Sequence, residues 1–209
     1  MLKLARRLLR QVLGGLRDEI RAGTPVVALE PSCGAVFRNE PTNMLPDDED
    51  AKRLSRQTVS IGELLARDAS GSEIPQFERK ALVHCHCHQR ATADTACDRG
   101  VLDRLGLDYE VLDTGCCGLA GSFGYGRGER YEVSIKAGER VLLPRVRDAS
   151  RHTLILTDGF SCRSQIDHGS DRGALHLARA VQMALREAPT GLSTAPPEHR
   201  YSGLAVGNT

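Results

Sequence analysis

Four short apolar runs set the terms on which this chain can fold. Val26 to Leu29, Ala81 to Val83, Tyr109 to Leu112 and Thr153 to Leu156 are too short for helices, and stretches with helical periodicity separate them. That alternation predicts an α/β fold with a parallel sheet of about four strands and flanking helices. A cysteine-bearing loop follows each run: Cys33 after the first, Cys87 after the second, Cys116 and Cys117 after the third, and Cys162 after the fourth. In a parallel sheet these loops share the C-terminal edge, where open α/β sheets bind ligands. Five thiols on one rim is hard to obtain by chance.

The intervening stretches are read as follows. Leu2, Leu9, Leu13, Leu16 and Ile20 recur at helical spacing, and Gly23 ends that helix. The segment after Cys33 contains Pro41 and Pro46 and should not stay helical. Asp47 or Asp48 can cap a helix that places Leu54, Thr58, Ile61 and Leu65 on one face. Ala69 to Pro75 reads as a loop. Helices are expected from about Ala91 to Leu105, from Tyr131 to Val146 with Pro144 kinking it or ending it early, and from Asp171 to Glu187. The tail from Pro189 has no pattern, so residues 188–209 are expected to be disordered.

Composition narrows the possible functions. Lysine and arginine number 28 against 27 acids among 209 residues, which gives no electrostatic case for nucleic acid or an anionic membrane. No apolar run approaches the roughly 20 residues of a membrane span, and no secretory signal is recognised. Asp18 and Glu19 speak against reading the Arg-rich start as a transit peptide. Seven cysteines, an odd number, then suit a reduced, cytosolic chain whose thiols serve metals or catalysis.

The pair Cys116–Cys117 stands in DTGCCGLAGSFGYGRG, where glycines let the backbone approach and aim N–H groups at sulfur. Twenty-eight residues separate Cys87 from Cys116 and 44 separate Cys117 from Cys162, which is neither a zinc-ribbon spacing nor a bacterial ferredoxin run. Converging thiolates suit an iron–sulfur cluster. Two alternatives stand beside it. Buried, inert cysteines are the commonest fate of isolated thiols. Zinc is the sharper rival, because His84, His86 and His88 alternate with Cys85 and Cys87 along what reads as a strand. Cys85 and Cys97 read as packing residues, His168 and His176 as surface or capping groups, and GYGRG lacks the rest of a phosphate loop.

A weak internal repeat links VVALEPSCGAVF with LILTDGFSCRSQI, both running from an apolar strand through an acid to Ser-Cys. The chain thus reads as opening halfway through the first of two repeats. On that reading residues 1–46 are the second half of a truncated repeat and residues 47–187 a complete one.

HCHCHQ at His84 to Gln89, DTGCCGLAGSFGY at Asp113 to Tyr125 and DGFSCRSQI at Asp158 to Ile166 together resemble the cysteine-rich CCG domain. That domain occurs in the B subunit of heterodisulfide reductase, in glycolate and lactate oxidase iron–sulfur subunits, and at the C-terminal end of large FAD-linked oxidases. The resemblance covers nearly everything from Val26 to Leu185. It implies an iron–sulfur cluster, of the 4Fe-4S kind, held by Cys87, Cys116, Cys117 and Cys162, with Cys33 matching the closing cysteine of an earlier repeat. It also implies an electron-transfer role beside an FAD-binding dehydrogenase domain or subunit, acting on a 2-hydroxy acid such as glycolate, lactate or 2-hydroxyglutarate, with the acceptor open. One departure stands out. The family motif closes with Cys-x-x-Cys, whereas Gly159 and Gln165 occupy the positions three residues before and after Cys162.

Overall fold

The computed structural model describes residues 1–67, 74–76, 78–92 and 96–187. The expected tail lies outside them, as does most of the expected loop from Ala69 to Pro75. The chain divides into two compact units, residues 1–69 and 70–209.

In the first unit, helices α1 (Leu2–Gly15) and α2 (Arg17–Ala22) replace the single helix read from the sequence. The break falls at Leu16, directly after Gly14 and Gly15, the poorest helix formers in the stretch. Gly23 ends α2 in the left-handed conformation, as its position predicts, and Thr24 N–H closes the turn onto Glu19 O at 3.0 Å. Strand β1 (Val26–Val27) leads into α3 (Pro31–Met44), which begins with the Glu30 carboxylate accepting from Ser32 N–H and with Pro31 in the first turn. This helix corrects the reading that Pro41 forbids one. Pro41 sits in the final turn, and the helix ends three residues after it.

Asp48 caps α4 (Glu49–Gln57), accepting from Asp50 and Ala51 N–H at 2.9 and 3.1 Å. The expected continuous face through Thr58, Ile61 and Leu65 is interrupted, because Thr58–Val59 is strand β2, paired in parallel with β1. Helix α5 (Ile61–Arg67) starts afresh from a capping box: Ser60 Oγ accepts from Glu63 N–H and Glu63 Oε2 accepts from Ser60 N–H. The core of this unit is Leu13, Ile20, Leu45, Ala51 and Leu54. Arg21 forks onto the Asp50 carboxylate at 3.2 and 3.0 Å, joining α2 to α4 and holding Asp50 below the usual carboxylate range. The boundary between units thus falls beyond α5, and residues 49–67 pack with the first unit.

The second unit is built on β3 (Lys80–Val83), β4 (Asp108–Val111) and β5 (Leu154–Leu156), all parallel, in the order β4-β3-β5. The α/β reading holds, with the strands divided between two small parallel sheets rather than gathered in one. Helices α6 (Cys87–Thr92) and α7 (Ala96–Arg104) cross from β3 to β4. After β4 come a glycine-rich loop, a 3-10 turn at Phe123–Tyr125, α8 (Glu129–Glu139) and α9 (Leu142–Asp148). Pro144 lies in the first turn of α9, so the expected helix is split before it rather than kinked at it. Helix α10 (Phe160–Gly169) is an addition to the sequence reading, and α11 (Leu177–Glu187) starts later than expected. The delay has a cause: Leu175 pairs with the β5 edge, donating to Ile155 O at 2.8 Å and accepting from Thr157 N–H at 2.9 Å.

Register decides where the loops go. Val83 lies beside both Val111 and Leu156, so all three strands end level and their loops leave from one edge. The chain passes from β3 to one neighbour and then back across to the other, which opens a crevice at the strand ends. Beneath it lie Leu82, Leu112, Leu119, Leu142, Val146, Ile155 and Ile166.

Candidate thiol-rich centre

Cys87, Cys116, Cys117 and Cys162 come together at this edge. Cys87 opens α6 and is half-buried, Cys116 is half-buried in the loop after β4, and Cys117 is buried beside it. Cys162 is the third residue of α10 and only 1% exposed. The thiols interact in sequence: Cys87 with Cys116, Cys116 with Cys117, and Cys117 with Cys162. Cys33 belongs to the first unit, where it is exposed. It is the third residue of α3, following β1 as Cys162 follows β5, and a serine precedes each. The loops of the internal repeat thus share a local form.

The electrostatics separate the four thiols. The Cys162 thiol, the Leu119 N–H, the Ser161 hydroxyl and the Cys116 thiol all stabilise charge on Cys117. Against the pull of burial they bring its pKa down to about 6. Cys162 is pushed up by its bond to Cys117, by burial and by the charge of Cys117. The pair therefore gives up one proton easily and holds the other. Burial, and then the nearness of Cys116, raise Cys87. Gly118 N–H donates to Cys116 Sγ at 3.4 Å, as the glycine-rich loop suggests.

Two glycines are fixed by close approach. A Cβ on Gly118, at φ +100°, would lie 2.1 Å from Ser134 O, so only glycine lets the loop pack on α8. A Cβ on Gly159 would lie 2.3 Å from His86 Cδ2 and 3.0 Å from Cys162 Sγ. A cysteine could not stand there without displacing His86. Gln165, at the other family position, is buried, and its Nε2 donates to Ser134 O at 3.1 Å and Ser134 Oγ at 3.4 Å. That side chain joins α10 to α8.

The histidine run departs from the sequence reading. β3 ends at Val83, so His84 to His88 do not alternate along a strand. His84 and His86 are both buried while His88 is exposed. His86 Nδ1 accepts from His88 N–H at 3.2 Å, and its Nε2 lies 3.5 Å from Ser161 Oγ. Cys85 is half-buried, with burial pushing its thiol up. The Cys97 side chain lies outside the described residues. His176 behaves as a capping group, its Nδ1 accepting from Ala178 N–H at 3.0 Å, and the exposed His168 meets Tyr131 OH at 2.7 Å. Among the described residues no set of three or more His, Cys, Asp or Glu is arranged about one metal-ion position.

Comparison with known proteins finds relatives among dehydrogenases. The chain is 27% identical over 166 residues to the C subunit of the anaerobic glycerol-3-phosphate dehydrogenase of Escherichia coli (strain K12), covering 78% of this chain and 41% of that protein. It is 26% identical over 164 residues to the D-2-hydroxyglutarate dehydrogenase of Pantoea ananatis, covering 77% of this chain and 16% of that one. The D-2-hydroxyglutarate dehydrogenase of Pseudomonas putida is also 26% identical, over 159 residues. These relatives are dehydrogenases or parts of them. The chain spans less than half the length of each. No protein-family model and no solved structure matches it. None of the described helices is long and apolar enough to cross a membrane.

Proposed function

We propose that this chain is the iron–sulfur electron-transfer part of a larger FAD-linked oxidoreductase that oxidises a small hydroxy acid of the 2-hydroxyglutarate kind. Cys87, Cys116, Cys117 and Cys162 would hold a 4Fe-4S cluster. One observation carries this reading: four thiols from three separate loops interact in sequence at the level ends of β3, β4 and β5. The relatives lend it support, being dehydrogenases much longer than this chain.

The donor set fits the group. Thiolates are the preferred ligands of iron–sulfur clusters, and a bound cluster supplies one-electron transfer between a flavin and an acceptor. The chain's own residues do the rest. Cys117 ionises readily, Gly118 and Leu119 direct N–H groups at sulfur, and the core beneath Cys117 and Cys162 keeps water out. With Gly159 and Gln165 at the flanking positions, the site has four thiolates and no Cys-x-x-Cys closure. Cys33 is the counterpart of Cys162 in the first copy of the internal repeat.

Anaerobic purification tests this directly. Iron, acid-labile sulfide and visible absorbance are expected in the full chain, bleached by Cys116→Ser or Cys117→Ser and kept by Cys97→Ser. Co-expression with an FAD-binding polypeptide should restore electron flow to an artificial dye. Colourless protein with stoichiometric zinc would sink the proposal in favour of a zinc-stabilised interaction module.

A further inference from the structure

The three loops that carry the thiols meet at one buried side chain. His84 follows β3, three residues before Cys87. Its N–H donates to Leu156 O at 2.9 Å, which fixes it to the end of β5. Its Nδ1 lies 2.6 Å from Thr114 Oγ1, two residues before Cys116. The ring is 1% exposed. Burial, with the nearby His86 and Arg90, brings its pKa down to about 4, so the imidazole is neutral.

A neutral imidazole has one N–H and one lone pair, and Thr114 engages only one nitrogen. The other, Nε2, is buried with no protein partner. Thr157 Oγ1 is in the same position. It lies near enough to Cys162 to favour that thiol's ionisation, but no protein atom completes a hydrogen bond with it in proper geometry. His84 and Thr157 both line a cavity of about 30 Å³ whose other walls combine apolar residues such as Val83, Leu102 and Leu156 with the polar Gln89, Asp98 and Asp158. Buried polar atoms in native proteins are rarely left orphaned. A water needs about 10–15 Å³ on this measure, so the space suits two. Water also serves either tautomer of His84, since it both donates and accepts.

We propose that this cavity holds one or two ordered waters bridging His84 Nε2 to Thr157 Oγ1, and that His84 is thereby the positioning residue that sets the three thiol-bearing loops relative to one another. His84 reaches the Cys116–Cys117 loop through Thr114, the Cys162 segment through the waters and Leu156 O, and Cys87 through its own chain. The importance of this for ligation rests on the four-thiol reading above, but the arrangement belongs to the metal-free protein and can be tested there.

The probe is dibromobimane, which bridges two thiols, with peptide mapping of the Cys87–Cys116 product in the metal-free full chain. His84→Leu removes both nitrogens, and Thr114→Val removes the hydroxyl while keeping the shape. Each should slow bridging roughly tenfold, the low end of the loss usual when a supporting partner is removed. His84→Gln, whose amide can still reach a water, should restore most of the rate. A high-resolution crystal structure should show the waters, and they should be gone in His84→Leu. Wild-type bridging in a folded His84→Leu or Thr114→Val chain overturns the proposal, as does a dry cavity. If His84→Leu does not fold, Thr114→Val decides. Iron content reports separately on the proposed function, so the two can fail independently.

Discussion

Gly118→Ala is the most telling single change in the glycine-rich loop, and its cost can be worked from the geometry. The new methyl would sit 2.1 Å from Ser134 O, 3.0 Å from Ser134 C and 3.2 Å from Ala137 Cβ. Ordinary non-bonded contacts lie near 3.5–4.0 Å, so α8 must retreat by on the order of 1 Å or the loop must lift. Backbone strain at φ +100° adds about 1–2 kcal/mol for an L residue. Overpacking against a fixed neighbour adds about 1–3 kcal/mol. The total of about 2–5 kcal/mol is a large share of a typical stability of about 5–15 kcal/mol. Gly115→Ala is the matched control: it has φ +68° but open space around the new methyl, so only the strain of about 1–2 kcal/mol applies. Denaturant unfolding of both variants, metal-free and under reductant, measures the difference. Equal losses within about 0.5 kcal/mol would refute the claim that the loop is held against α8 by backbone contact.

Other consequences follow from the same contacts. In the metal-free chain one thiol should titrate near pH 6 by ultraviolet thiolate absorbance, and Cys162→Ala should move that midpoint upward by removing the largest stabiliser of the Cys117 thiolate. Since the folded pKa of Cys117 lies below its ordinary value of 9.0, its contribution to stability is complete above pH 9 and is lost as pH falls through 6. Cys162, shifted the other way, should begin to subtract stability as pH rises past 9. Asp50, held low by Arg21, contributes stability that is full above the usual carboxylate range and lost on acidification below it, so Asp50→Asn should flatten the acid side of the stability profile. Gln165→Leu should cost about 1–3 kcal/mol in denaturant unfolding by leaving Ser134 O and Oγ without their buried donor.

The parallel α/β plan is legible because the apolar runs are bounded by turn residues, and the cysteines can be assigned to one edge because parallel strands point the same way. The position of Cys117 in the core is not legible: it depends on Leu82, Ile155 and Ile166, which are distant in sequence. At one break between sequence and structure a stronger local signal is present. Ser60 and Glu63 form a capping box, which marks a new helix start and so a break before it. Pro41 does not forbid α3, which carries it in its last turn. The His-Cys alternation looks like a strand because the residue types alternate, yet the pairing that would extend β3 stops where His84 N–H takes Leu156 O as its last sheet partner. Helix α10 carries no periodic signal because Phe160 to Gly169 lacks an apolar stripe, with only Cys162, Gln165 and Ile166 buried along it. By residue type His84 is a candidate metal ligand. Its role in the cavity depends on Thr114 and Thr157, whose nearness no spacing rule reveals.

The level ends of the three strands also govern when the site can exist. Ala81 must find Leu154 across an intervening chain of about seventy residues, and such non-local pairing is slow compared with helix formation. During synthesis Cys87, Cys116 and Cys117 emerge well before β5, so for a time three thiols exist without the fourth or the strand that aligns it. On the proposed four-thiol reading, metal delivered in that interval would meet an unfinished set of ligands, and oxidants would meet uncovered sulfur. If the proposed cluster is bound, its loading would follow translation of α10, and a chain cut between Cys117 and Leu154 would have three of the four thiols and no β5 to align them.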